Sequence, residues 1–84
     1  MSIQHKEIPY NDFIKMLDKG ETVFIYNDYE NIAYRCFFDS DKGKCRYIAR
    51  KNGKEFEVYS EKSNVLTDTL NQPLVISEKD YLNL

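Results

Sequence analysis

Apolar residues recur along this chain in two periods, and the switch from one to the other predicts the fold. In Asn11–Lys19 they stand at Phe13, Ile14, Met16 and Leu17, the spacing of one face of a short amphipathic helix. Pro9 or Asn11 can open that helix and Asp12 sits in its first turn. Lys19-Gly20 closes it, because glycine readily takes the left-handed conformation that follows many helices. From Thr22 to Ser60 the pattern changes to alternation rich in β-branched and aromatic residues. Strands are expected over Thr22–Tyr26, Ile32–Phe38, Lys44–Lys51 and Lys54–Ser60, with turns at Asn27–Glu30, Asp39–Gly43 and Asn52-Gly53. The helical period returns in Asn64–Leu70, capped by Ser63, with Val65, Leu66, Thr69 and Leu70 inward and Pro73 preventing continuation. Leu74-Val75-Ile76 reads as a short fifth strand. Ser77-Glu78-Lys79-Asp80 has capping-box spacing, with Asp in place of the usual Glu or Gln, and starts a last turn ending at Leu84. Met1–Glu7 is polar and is expected to fray.

Lys51-Asn52-Gly53-Lys54 is the surest local signal, because both central positions of a type I′ turn need positive φ and Asn-Gly tolerates it. A two-residue loop pairs Lys51 with Lys54, Arg50 with Glu55, Ala49 with Phe56, Ile48 with Glu57, Tyr47 with Val58, and Arg46 with Tyr59. Successive side chains alternate between faces, so Cys45, Tyr47, Ala49, Phe56 and Val58 share an apolar face assigned to the core. Setting Phe38 opposite Cys45 and Asn27 opposite Ile32 adds Ile32, Tyr34, Cys36, Phe38, Val23 and Ile25 to that face. The expected fold is α+β: a four-stranded antiparallel meander with an N-terminal helix, a second short helix and a short fifth strand. The first and last amphipathic elements are expected to cover the core face.

The opposite face holds Phe24, Tyr26, Ala33, Arg35, Phe37, Arg46, Ile48, Arg50, Glu55, Glu57 and Tyr59, including all three arginines of the chain. Arginine and aromatic residues are the types enriched at binding hot spots. A partner-binding surface is therefore expected at Phe24, Tyr26, Arg35, Phe37, Arg46, Ile48, Arg50 and Tyr59. The same aromatics can stack bases while the arginines meet phosphates, which makes single-stranded nucleic acid the second partner class. Glu55, Glu57 and the net charge of −2 weigh against it. In a third arrangement one helix packs on each face and this layer is half-buried.

At 84 residues the chain is expected to be one domain over 1–84. Two cysteines are too few for a disulfide scaffold, and Cys36 and Cys45 on neighbouring strands read as reduced thiols. With one histidine, His5, in the polar tail, no zinc ligand set is expected and no cofactor is implied. Asp39, Asp41 and Gly43 lack the spacing and closing Glu of a calcium loop. No Gly-rich phosphate loop and no nucleophile–histidine arrangement stands out, so catalysis is not expected. Without a signal segment or a long apolar run, a cytoplasmic protein with no membrane contact is expected. Abundant Tyr, Lys, Asn and Ile, with few Ala and Gly, suggests a low-GC bacterial or phage source.

Ile8-Pro9-Tyr10-Asn11-Asp12-Phe13, followed by Leu17-Asp18-Lys19-Gly20, is similar to the opening of the extracytoplasmic domain of FtsH-type membrane proteases. Asn52-Gly53-Lys54-Glu55-Phe56, Tyr59-Ser60, Val65–Leu70 and Leu74-Val75-Ile76 resemble its ending. That resemblance implies a small α+β domain that mediates assembly and partner contact, with no catalysis of its own. The functional expectation is a non-enzymatic protein-binding module, a small regulator or inhibitor. A homodimer is compatible with the same surface.

Overall fold

The computed structural model describes residues 3–84. Its elements run β1 (Lys6–Glu7), α1 (Tyr10–Asp18), β2 (Val23–Asn27), β3 (Ile32–Asp39), β4 (Lys44–Lys51), β5 (Lys54–Val58), a 3-10 turn (Ser60–Lys62), α2 (Asn64–Asn71), β6 (Leu74–Ile76) and α3 (Glu78–Leu82). The class is α+β, as expected, but the sheet is larger than a four-stranded meander. It has six strands in the order β1-β6-β2-β3-β4-β5, every pair antiparallel. The extra strands come from the chain ends. β6 returns to pair with β2, and Lys6–Glu7, read from the sequence as part of a polar tail, pairs with β6. Residues 1–2 of that tail lie outside the described residues.

The three hairpins have the registers expected from turn chemistry. Asn27 faces Ile32, Phe38 faces Cys45, and Lys51 faces Lys54. Asn52 and Gly53 both take positive φ, 54° and 77°, as a type I′ turn requires. The Asp39–Lys44 turn is held by Asp39 Oδ1, which accepts the N–H groups of Asp41 (3.0 Å) and Lys42 (3.3 Å). β5 ends at Val58, one residue short of the expected Arg46–Tyr59 pair.

The helices start and stop for local reasons. Ser63 Oγ accepts the Leu66 N–H to cap α2, and Ser77 Oγ accepts the Asp80 N–H to cap α3, both at 3.1 Å. α1 ends in a Schellman motif: the Glu21 N–H reaches the Met16 carbonyl and the Gly20 N–H reaches that of Leu17, with Gly20 at φ 84°.

α1 and α2 cover one face of the sheet. Phe13, Leu17 and Leu66 close over Val23, Ile25, Ile32, Tyr34, Cys36 and Ala49 in one buried cluster. Asn27 Nδ2 donates to Thr69 Oγ1 at 3.0 Å, tying the β2–β3 turn to α2. α1, with 9 residues, and α2, with 8, are short. At ~1.5 Å per residue each helix is only ~12–14 Å long. Six strands spaced ~4.8 Å apart make a wider surface than the pair can roof. Tyr47 and Val58 still pack against the core, but the rim of this face stays open. Phe38 and Phe56, assigned to the core from the pattern, are 46% and 48% exposed.

The last element corrects the layering. α3 does not join α1 and α2; it packs on the opposite face. There Tyr81 forms a second buried cluster with Tyr26, Ala33 and Ile76, and Phe24 and Leu84 pack against it. The Tyr81 ring lies 5.0 Å from that of Phe24, and its hydroxyl donates to the Ile48 carbonyl at 3.3 Å. One five-residue helix thus seals half of a face through one aromatic side chain. Tyr81→Ala is expected to lower stability by about 3–5 kcal/mol, the range for emptying a buried aromatic site, measured as a drop in the urea midpoint.

Candidate functional site

α3 divides the arginine-rich face in two. Beneath it lie Tyr26, which is buried, and Phe24, which is half-buried against Tyr81. Both therefore leave the contact surface expected from the sequence: a side chain roofed by its own helix offers nothing to a partner. The Tyr26 hydroxyl donates to Asn31 Oδ1 at 2.8 Å. Burial, and then the Asp28 charge, push its pKa above the usual tyrosine value.

Arg50 stands at the boundary. Its Nη2 donates to the Leu82 carbonyl at 3.0 Å and its guanidinium lies 5.9 Å from the centre of the Tyr81 ring. It therefore clamps α3 to the sheet. The backbone completes the clamp, with the Gly53 N–H donating to the Leu84 carbonyl.

Beyond α3 the structure brings together Arg35, Phe37, Arg46 and Ile48. Alternation sets Arg35 and Phe37 on one face of β3, and pairing sets Ile48 beside Arg35 and Arg46 beside Phe37. The Arg35 and Arg46 guanidinium carbons lie 5.7 and 5.6 Å from the Phe37 ring centre, within cation–π range. Arg46 binds Glu57 through two parallel hydrogen bonds, Nε to Oε2 at 2.9 Å and Nη2 to Oε1 at 3.1 Å, and reaches Asp39 at 3.3 Å. Arg50 meets Glu55 at 2.9 Å, and Arg35 lies 3.6 Å from the other oxygen of the same carboxylate. Each arginine thus has a carboxylate beside it, and the ladder Arg46–Glu57 and Arg50–Glu55 runs across β4 and β5. Tyr59 is not part of this strip. It lies past the end of β5, between the ammonium groups of Lys44 and Lys62 at 5.6 and 5.9 Å.

The ion pairs set the titration behaviour. Hydrogen bonding to Arg46 holds the Glu57 carboxyl below the usual glutamate value. Burial alone would raise that of Asp39, but the Lys42 and Asp41 N–H groups and Arg46 outweigh it and hold it low. Burial pushes the Cys36 thiol up, aided by Cys45, and pushes Cys45 up as well. Reactive cysteines need the opposite shift, so both thiols stay protonated near neutral pH. Tyr34 rises to about 12 through burial. Among the described residues no group of three or more His, Cys, Asp or Glu is placed to hold a metal ion, and no helix is long and apolar enough to cross a membrane.

A cleft of about 720 Å³ lies on the other side of α3, lined in part by His5, Tyr26, Asp28, Asn31 and Asp80, and shares no residue with the arginine strip. Phe56 is one of two exposed aromatics, with Phe38, that the pattern assigned to the core. The signal that could have found it is its position on the last strand of the meander, which is a sheet edge unless a later strand joins it. Comparison with protein-family models, curated proteins and solved structures finds no match to this chain.

Asp39 and Glu57 both have depressed pKa values in the folded chain. Their stabilising effect is therefore present above the ordinary carboxylate range and is lost as pH falls through the folded values. Stability should drop as pH falls below about 4, and Arg46→Met should flatten that drop. Urea midpoints measured across the acid range check both.

Proposed function

We propose that this chain is a non-enzymatic protein-binding module, a small regulator or inhibitor of bacterial or phage origin, that contacts its partner through Arg35, Phe37, Arg46 and Ile48. The observation that carries the reading is the Phe37 ring with two guanidiniums at 5.7 and 5.6 Å from its centre, and Arg46 anchored at once to Glu57 and Asp39. Side chains already held in place lose little rotamer freedom when a partner docks. Arginine and aromatic residues side by side are the composition of binding hot spots. Ile48 adds an apolar neighbour on the next strand, which suits a protein surface better than a polyanion.

The carboxylates weigh against phosphate binding. A nucleic-acid groove needs uncompensated positive charge along the backbone track. Here Asp39, Glu55 and Glu57 sit among the arginines.

The test is affinity capture from a low-GC bacterial lysate, with and without nuclease, using the native chain and the Arg46→Glu/Phe37→Ala double variant. The expected result is one protein that survives nuclease treatment and binds the variant at least ~30-fold more weakly, the effect of losing about 2 kcal/mol at a hot spot. Capture lost on nuclease treatment would favour single-stranded nucleic acid. Unchanged capture by the variant would move the contact to another surface.

A further inference from the structure

The sheet has two edges, and they differ. β1 is two residues long, too short to template a further strand. β5 is five residues long and pairs with β4 alone. Its open side has a definite chemistry. Lys51 and Lys54 flank the two-residue turn as a hydrogen-bonded pair, so Lys54, Phe56 and Val58 direct their backbone groups toward β4. The N–H and C=O groups of Glu55 and Glu57 then point out of the sheet. The side chains alternate too: Phe56, 48% exposed, stands on the face of α1 and α2, and Glu55 and Glu57 stand on the arginine face.

We infer that the β5 edge binds an extended segment of another protein in which basic and apolar residues alternate. A strand added there pairs with the backbone of Glu55 and Glu57 and, in either direction, sets its residues opposite Glu55, Phe56 and Glu57 in turn. The complementary sequence is basic, apolar, basic. Its cations continue across the sheet the order that Arg46–Glu57 and Arg50–Glu55 begin, adding a second positive charge beside Glu57 and a third beside Glu55, which already meets Arg50 and Arg35. Its apolar residue covers Phe56, which is left 48% exposed.

A second copy of the chain fits the same edge poorly. Antiparallel self-pairing about Phe56 sets Glu55 of one copy against Glu57 of the other, twice. Pairing about Glu55 or Glu57 sets a glutamate against itself, and like charges directly opposite are destabilising. Pairing about Val58 runs off the strand, which ends there. The two glutamates thus disfavour the antiparallel self-association that open edges invite, while favouring a basic strand.

The site adjoins the Arg35–Phe37 strip through the Arg35–Glu55 and Arg46–Glu57 pairs but binds its ligand through the outward backbone of β5, so amide protection there separates the two readings. The probe is a short, end-blocked peptide of alternating lysine and valine, titrated into the isotope-labelled chain and followed by amide shifts and amide exchange. Binding should shift the Glu55 and Glu57 amides and slow their exchange. A peptide of the same composition with its lysines and valines in two blocks should bind several-fold more weakly. Glu55→Gln/Glu57→Gln, checked for an unchanged amide pattern elsewhere, should weaken the alternating peptide roughly three- to tenfold, the effect of two cross-strand charge pairs. Phe37→Ala should leave that affinity unchanged. Equal binding of the two peptides, shifts centred on Arg35 and Phe37, loss of binding in Phe37→Ala, or concentration-dependent protection of Glu55 and Glu57 in the chain alone would each overturn the inference.

Discussion

The structure depends on register. Three antiparallel hairpins are each pinned by a turn with one permitted geometry, and a slip of one residue in any of them would turn a strand's apolar side chains to the wrong face. Asn52 and Gly53 set the β4–β5 register through their positive φ. Asp39 sets that of β3–β4 by accepting two backbone N–H groups. At the β2–β3 turn Asn31 takes φ 52°, and Asn27 Oδ1 accepts the Glu30 N–H at 2.9 Å. With these fixed, Tyr34, Cys36 and Ala49 must lie on one face and Arg35, Phe37, Arg46 and Arg50 on the other.

The two faces are then finished differently. α1 and α2 bring Phe13, Leu17 and Leu66 to the first, and the result is an ordinary aliphatic and aromatic core. The second is closed in part, by α3, which covers β6, β2 and β3 and is fastened to β4. Tyr81 supplies the apolar body and Arg50 the polar fastening, and the Tyr81 hydroxyl is satisfied by the Ile48 carbonyl. The part that α3 leaves open is where the charge ladder lies. Arg46 and Arg50 therefore do opposite things: Arg50 holds a helix down, while Arg46 orders an open surface.

That open surface has nearly balanced charge, because each guanidinium has an acid beside it. Its chemistry is that of ordered, directional groups around an aromatic ring. The β5 edge adds outward backbone groups flanked by Glu55 and Glu57. Together the strip and the edge form one side of the molecule that differs from the helix-covered side in both shape and polarity.

Most of this was legible residue by residue. Period, caps and turns are local properties, so the sequence alone determined α1, α2, β3, β4, β6 and the caps at Ser63 and Ser77, with strand limits within a residue or two. Alternation then determined which side chains share a face, including the grouping of Arg35, Phe37 and Arg46. Tertiary structure alone decided which parts of each face are covered. Coverage depends on where short helices fall across a sheet wider than they are, and no local pattern carries that distance. It placed α3 over Phe24 and Tyr26, left Phe38 and Phe56 open, and brought Lys6–Glu7 and β6 together at a sheet edge through pairings between distant parts of the chain.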